Sequence, residues 1–255
     1  MKIATWNVNS LRVRLPHVLD WLASANPDVL CLQETKVPNE DFPLLEIQQA
    51  GYEVVFSGQK SYNGVAVISK QAAHDILFDL PEMNDTHRRV IAVTVGNLRV
   101  INLYVPNGES VGSDKYAYKL EWLRKLKDFL EQQIALYPSM VIVGDFNIAP
   151  TDDDVYDPIE WHGRVLCSEP ERSAFKELLE LGFQDCFRLQ PQPSQSFSWW
   201  DYRLNAFERN WGLRIDHILA SPALALQCIQ CGIDKKPRGL ERPSDHAPVF
   251  AEFVT

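Results

Sequence analysis

The stretch VIVGDFNIAP, residues 141–150, carries the clearest chemistry in this chain. An apolar, β-branched run enters Gly144. Asp145 and Asn147 then stand two residues apart and so share one face of an extended segment. An acceptor and an amide fixed side by side suit a water molecule losing a proton next to a phosphate oxygen. The same pair reads equally as Asx side chains capping a strand-to-loop turn. Near the C-terminus, ERPSDHAPVF at 241–250 sets Asp245 and His246 together between prolines. Neighbours in an extended segment point to opposite faces, so each needs a partner from elsewhere. GLRIDHILAS at 212–221 offers one. Asp216 lies in an apolar strand, where an unpaired charge is costly, and His246 is its natural partner. Such a pair keeps an imidazole protonated and aimed at an anionic oxygen, although a structural ion pair fits the same residues.

Four further stretches end apolar runs on polar residues. LCLQETK at 30–36 closes on Glu34, a carboxylate of the kind Mg²⁺ takes singly or in pairs while keeping several waters. TWNVNS at 5–10 puts Asn7 and Asn9 on one face, as neutral oxygen donors or as turn formers. NLYVPNG at 102–108 brings Tyr104 and Asn107, a phenol and an amide able to bond phosphate; packing alone explains the tyrosine equally. FSWWDYR at 197–203 joins Trp199, Trp200 and Tyr202 to Arg203, a stacking surface for a base or sugar, or a strand with core-facing aromatics. The TDDD run at 151–154 reads as turn and solvated loop and receives no role.

These residues need strands that end together. KIATWNV, DVLCLQE, YEVVFSG, GVAVISK, VIAVTV, LRVINLYV, MVIVGDF, SFSWWDY, LRIDHILAS and APVFAEF have strand length and β-branched content. Helical periodicity runs over 116–137, 14–25 and 172–182, the last stopped by Gly182. Many strands with a few interposed helices predict a layered α/β sandwich, and no linker or repeat divides it. A net charge of −9 argues against a protein that coats nucleic acid, yet leaves room for local basic clusters at Arg12/Arg14, Arg88/Arg89, 203–214 and 235–242. The start lacks an apolar signal-peptide core and no run reaches membrane-spanning length, so a cytoplasmic protein without membrane contact is expected. Five cysteines include a Cys228–Cys231 pair without a second half-site, and free thiols are expected.

Taken in order, KIATWNVNSLR, LQETK, YNGVAV, LYVPNGE, GDFNIAPTDDD, FSWWDYR, GLRIDHILAS and ERPSDHAPV resemble the exonuclease III group of abasic-site endonucleases. That group lies within the endonuclease/exonuclease/phosphatase superfamily, and the likeness spans nearly the whole length. It implies a DNase I-like, four-layer α/β sandwich: two stacked, mostly antiparallel sheets flanked by helices, with residues 1–255 as one domain. It also implies roles. Glu34 is the metal carboxylate, with Asn7 adjacent and Asp245 near the metal's waters. Asp145 activates water, Asn147 orients the phosphate, and Asp216 pairs with His246. Tyr104 is the active-site tyrosine and Asn107 contacts phosphate. Trp199, Leu213 and Ile215 wall a pocket for a flipped abasic sugar, and Arg203 stands where some relatives intercalate. The implied activity is Mg²⁺-dependent hydrolysis, with Mn²⁺ substituting, of double-stranded DNA at abasic sites, from 3′ ends, or both, by a monomer in base excision repair. Two rival readings are a lipid or inositol phosphoesterase of the same superfamily, opposed by WNVNSLR and FSWWDYR, and an inactive DNA-binding protein, opposed by the complete polar set and the acidic charge.

Overall fold

Runs of Val, Ile and Leu become strands wherever the sequence predicts them in the computed structural model, which describes residues 1–81, 83 and 85–254. The first half of the chain forms β1 (Lys2–Asn7), α1 (Leu11–Ala25), β2 (Val29–Gln33), α2 (Leu44–Gln49), β3 (Glu53–Ser57), β4 (Val65–Ser69), β5 (Ala73–Phe78), β6 (Val90–Val95) and β7 (Leu98–Tyr104). The second half forms α3 (Asp114–Leu136), β8 (Met140–Asp145), α4 (Pro158–Trp161), α5 (Glu169–Glu180), β9 (Gln184–Asp185), β10 (Trp199–Trp200), β11 (Gly212–Leu213), β12 (Asp216–Ala220), α6 (Pro222–Ala225), β13 (Cys228–Ile233) and β14 (Val249–Phe253). The first sheet has the order β13-β14-β1-β2-β4-β3 and the second β5-β6-β7-β8-β12-β9, with β10-β11 a small separate pair.

Each large sheet is antiparallel except for one central parallel pair: β1 with β2, bridged by α1, and β7 with β8, bridged by α3. Parallel strands send their C-terminal ends to the same edge. That edge therefore collects Asn7 beside Gln33, and Tyr104 beside Asp145, each pair in register. Between the sheets lies an apolar layer that includes Ile3, Val29, Val67, Val93, Val100, Val141 and Ile218. On the outside, α1 packs Val18 and Leu22 onto Ala4 and Leu30. On the opposite face, α3 and α5 pack Leu126, Phe129 and Phe175 onto Ile101 and Ile142. The order is helix, sheet, sheet, helix, as the resemblance implies. Among the described residues no helix is long and apolar enough to cross a membrane.

The sheets are also locked by polar groups. Asn102 of β7 donates to the carbonyls of Leu32 (3.0 Å) and Ala66 (2.9 Å) in the opposite sheet and accepts from Gln33 Nε2 at 2.8 Å. Both side chains are fully buried, so these bonds specify one sliding register of sheet on sheet just below the polar edge. Two expectations need correction, those for SFSWWDY and for the TDDD run. SFSWWDY contributes only Trp199–Trp200 as strand, because Asp201 onward turns away from the sheet; Trp200 is core and Trp199 half-buried. Cys228 and Cys231 lie on edge strand β13, and all five thiols are free. The TDDD run is not wholly solvated: Asp154 is fully buried and bonds Arg214 Nε at 2.6 Å and Arg188 at 2.5 Å. Asn102→Leu takes the cross-sheet donor from two buried carbonyls and one acceptor from the Gln33 amide, which keeps Thr5 Oγ1 at 2.9 Å. It should lower stability by roughly 2–4 kcal/mol in urea unfolding at unchanged m-value; a loss under 1 kcal/mol would show that the lock is dispensable.

Candidate active site

At the shared strand edge, Asp216 opens β12 directly across the ladder from Asp145, which closes β8. Gly144 makes this possible. At φ 148° its absent side chain leaves room where a Cβ would lie 1.9 Å from the Leu103 carbonyl, so β8 reaches β7 closely beside Tyr104. Two buried carboxylates side by side repel, and His246 stands between them. Its Nδ1 lies 2.8 Å from Asp216 Oδ2 and its Nε2 3.7 Å from Asp145 Oδ2.

The prolines of the C-terminal segment now make sense. Residues 244–247 run extended along 198–200: the Trp200 amide donates to Asp245 O and the Ala247 amide to Ser198 O. Trp6 Nε1 and the Ser244 hydroxyl fix the same segment to β1, donating to His246 O (3.1 Å) and Asn7 O (2.6 Å). Ser198 Oγ donates to Asp216 Oδ2 at 2.6 Å, which orients the carboxylate toward the imidazole.

Glu34 reaches the same centre from β2. One amide joins it to Asp145: Asn7 Nδ2 donates to Glu34 Oε1 (2.8 Å) and to Asp145 Oδ2 (2.9 Å). Asn7 Oδ1 accepts the Asn9 amide at 3.0 Å, so the side chain turns its nitrogen, not its oxygen, toward the carboxylates. In this arrangement Asn7 bridges the two carboxylates through its nitrogen. Lys36 Nζ sits 2.8 Å from Glu34 Oε2 and also donates to Asn9 Oδ1, whose Nδ2 donates to Asp245 Oδ1 at 3.0 Å. Asp245 is thus at the outer end of a chain, and its other oxygen takes Trp199 Nε1. On the far side, Asn147 Oδ1 accepts from Asn107 Nδ2 at 3.2 Å, and Asn147 Nδ2 donates to Val105 O. Arg89 lies 4.7 Å over the Tyr104 ring. Glu34, Lys36, Asn9 and Asn147 all adopt left-handed backbone, a strain of about 1 kcal/mol or more each that collects at this edge.

Burial pushes Asp145 up to about 7; the nearby His246 charge opposes this, while Asp216 adds to it. Burial alone would depress His246, but Asp216 and Asp145 outweigh it and hold the imidazole at about 10. Burial raises Tyr104 well above its ordinary value, reinforced by Glu34 and Asp145, so its phenol stays a donor. Burial would raise Glu34 too, yet the Lys36 charge and the Asn7 bond bring it below the ordinary carboxylate range.

A hard divalent cation fits this donor set. Glu34 remains ionised, keeps 18% of its side chain exposed and already neighbours a cation, and Asp216 Oδ1 is a buried oxygen with no partner. Ligand atoms of Asp145, Asp216 and His246 also lie within 4.8 Å of one another, but the protonated imidazole has no lone pair to give while it bonds Asp216.

The expected sugar-pocket wall is placed differently. Leu213 and Ile215 are 0% and 1% exposed, packed with Leu166, Val155, Ala149 and Cys167, and only Trp199 of that trio reaches the surface. Leu166 holds φ 75°, pinned by its amide to Glu171 Oε1 (3.0 Å) and by its carbonyl to the Ala149 amide (2.8 Å). Of the expected wall, Leu213 and Ile215 thus lie in a buried cluster that also holds Leu166. Arg203 is 86% exposed, with its Nε 3.8 Å from Asp201 Oδ1.

A model of the endonuclease/exonuclease/phosphatase family matches residues 4–246. The chain belongs to this family. It is 40% identical to exodeoxyribonuclease III of Haemophilus influenzae over 99% of this chain and 100% of that one. Its fold is similar to a 3′-5′ exonuclease, NExo, from Neisseria meningitidis, at TM-score 0.98 and 49% identity, and to an AP endonuclease from Archaeoglobus fulgidus, at 0.97 and 43%, each covering 100% of both chains.

Sequence reading missed Lys36, Arg89 and Ser198. Lys36 lies within the quoted LQETK, Arg89 within a noted basic pair, and Ser198 within the quoted FSWWDYR, where the aromatics and Arg203 drew the reading. Because the folded Asp145 pKa (about 7) lies above its ordinary 3.8, wild-type stability falls as pH rises through that window. With EDTA present, Asp145→Asn escapes this, so its stability advantage over wild type should widen by roughly 2–3 kcal/mol between pH 5 and pH 8. Denaturant curves with a pH-independent gap would contradict the placement of that charge.

Proposed function

We propose that this chain is a divalent-metal-dependent DNA-repair phosphodiesterase whose preferred substrate is a DNA 3′ end, with internal abasic sites cleaved more slowly. The observation that carries the chemistry is an imidazole kept cationic by Asp216 within 3.7 Å of a carboxylate poised near neutrality. Asp145 takes a proton from the attacking water, a task for which a pKa of about 7 is well matched. His246 meets the negative charge that grows on the phosphoryl oxygen, and Asp216 returns the imidazole to the same orientation each time. Tyr104, held protonated, donates at the scissile phosphate or leaving oxygen. Asn107 and Asn147 orient the phosphate. Glu34, joined to Asp145 by the Asn7 amide, would hold Mg²⁺, or Mn²⁺ in its place, and the bound cation supplies further charge neutralisation.

The preference for ends rests on Leu166. A flipped abasic sugar needs an apolar recess, and here Leu213 and Ile215 are buried in one cluster with Leu166, a leucine in a conformation that glycine adopts without strain. A terminal nucleotide needs no such recess. The Neisseria relative named as a 3′-5′ exonuclease is in keeping with this reading.

Two duplexes test the proposal: one with an internal abasic analogue and one with a recessed 3′ end. With Mg²⁺, wild type should process the recessed end faster, and EDTA should abolish both activities. Asp145→Asn and His246→Asn should each reduce kcat by roughly 10²–10⁴-fold; near-native turnover in either would dismiss its assigned role. Leu166→Gly should raise incision of the abasic duplex about tenfold, the scale set by opening an apolar pocket, and leave 3′-end processing within a few-fold. If abasic incision does not rise, the leucine is not the barrier.

A further inference from the structure

Lys119 projects from α3 into the space beneath the loops that follow β7 and β8, where its ammonium and the Glu171 carboxylate of α5 are both 0% exposed. All three of its N–H bonds are used: to Asn147 O at 2.6 Å, Asn107 O at 3.1 Å and Glu171 Oε1 at 2.5 Å. Glu171 is equally saturated. Beside the ammonium, Oε1 takes the Leu166 amide (3.0 Å), while Oε2 takes the Ser168 amide (3.1 Å) and hydroxyl (2.5 Å). Burial pulls the ammonium's pKa below its ordinary value and Glu171 opposes the shift.

A buried pair of this kind rarely adds stability over a well-packed apolar pair of the same volume, because desolvation offsets the attraction. What it supplies is direction. An apolar pair could fill the volume, but only a donor can select two carbonyls on separate loops and hold them against one atom. Those carbonyls belong to the two residues whose side-chain amides meet at 3.2 Å at the reacting edge. The counter-ion then carries the same restraint to the segment that sets Leu166.

We infer that Lys119 is a positioning residue: its buried ammonium grips the backbones of Asn107 and Asn147 and so aims their amides at the substrate phosphate. The catalytic consequence rests on the phosphodiesterase reading above, whereas the restraint itself does not. A residue acting on aim rather than affinity should show in kcat more than in KM.

The decisive variant is K119M/E171L, which removes both charges at similar volume. It leaves the Leu166 and Ser168 amides and the Asn107 and Asn147 carbonyls without these partners, so it should melt below wild type, and its kinetics are read at a temperature where it remains folded. Its kcat on a recessed 3′ end should fall roughly 10- to 100-fold with KM changed less than threefold. The side-chain amide NMR signals of Asn107 and Asn147 should move while those of Asn102, in the sheet interface, stay in place. Glu171→Gln is the opposite probe. It keeps the ammonium and weakens the pair, so Tm should drop while kcat stays within about threefold of wild type.

A folded K119M/E171L protein with kcat within twofold of wild type and unmoved amide signals would overturn the inference. So would a Glu171→Gln protein that loses as much kcat as the double variant. Should the double variant fail to fold, Lys119→Arg decides: a lowered kcat at unchanged KM with moved Asn107 and Asn147 amide signals supports the ammonium's role, and native turnover with unmoved signals refutes it. A wild-type protein without phosphodiesterase activity would overturn the proposed function instead, and the amide signals would then judge the positioning alone.

Discussion

Two aspartates that ought to repel each other are forced into register across β8 and β12, and the imidazole of His246 makes that arrangement tolerable. Like charges this close in a dry site favour neutralisation of one partner. The protein answers with a cation contributed from the far end of the chain instead of by separating the strands. The compensation is incomplete, since Asp145 remains raised to about 7 with the imidazolium beside it. Under the proposed function, that residue of strain lets this carboxylate act as a base near neutral pH. Much of the local architecture reads as a device for holding the imidazole. The extended 244–247 segment, the indole of Trp6 on His246 O and the Ser198 hydroxyl on Asp216 all serve one ring.

The rest of the fold supplies a rigid edge for that pair. Two strand–helix–strand units each bring a parallel pair to the same side, and polar locks below keep the sheets from sliding. Behind Asp216 a second brace runs from Asp154 and Asp185 through Arg214 to His217 Nδ1, with His217 Nε2 on the Ile148 carbonyl at 2.9 Å. Arg214 and Asp185 charges bear on His217, yet burial dominates and depresses it to about 4, so the ring is neutral and both its nitrogens have defined partners. One strand therefore presents a charged histidine's carboxylate partner on one face and a neutral histidine on the other. Alternation along β12 keeps the two environments apart.

Local pattern was enough to predict the strands around Asp145, Glu34 and Tyr104, because β-branched runs ending on polar residues need no knowledge of distant partners. The Asp216–His246 pair was legible for a thermodynamic reason: an acid in an apolar strand must be matched. Asp154 was not, because TDDD looks the same whether its third acid faces water or a buried guanidinium contributed 60 residues later. Lys119 sits in a helix rich in exposed lysine and arginine, and nothing in its spacing separates it from them. Asn7 was legible as an edge residue, but its bridge between Glu34 and Asp145 was not. Which end faces a neighbour depends on the turn that follows, and that turn presents the Asn9 amide to its oxygen.

Leu166 shows why the recess was the hardest feature to foresee. Leu213 and Ile215 alternate with polar neighbours in the manner of pocket-lining residues, and whether they line a pocket depends on a loop from elsewhere. That loop owes its shape to Glu171 and Ala149, which together hold a leucine at φ 75° against its intrinsic preference. Strand ends determine which bond can be broken, and loops determine what reaches them. Here the two are mechanically joined, since Glu171 that holds the Leu166 amide also holds the ammonium gripping Asn147. Under the proposed function, a change that moves this loop also disturbs the aim of the Asn107 and Asn147 amides, whereas a change confined to the side chain of residue 166 leaves that link intact. Selection for a new substrate in this scaffold therefore has an easier path through side-chain volume at the loop than through the loop's backbone.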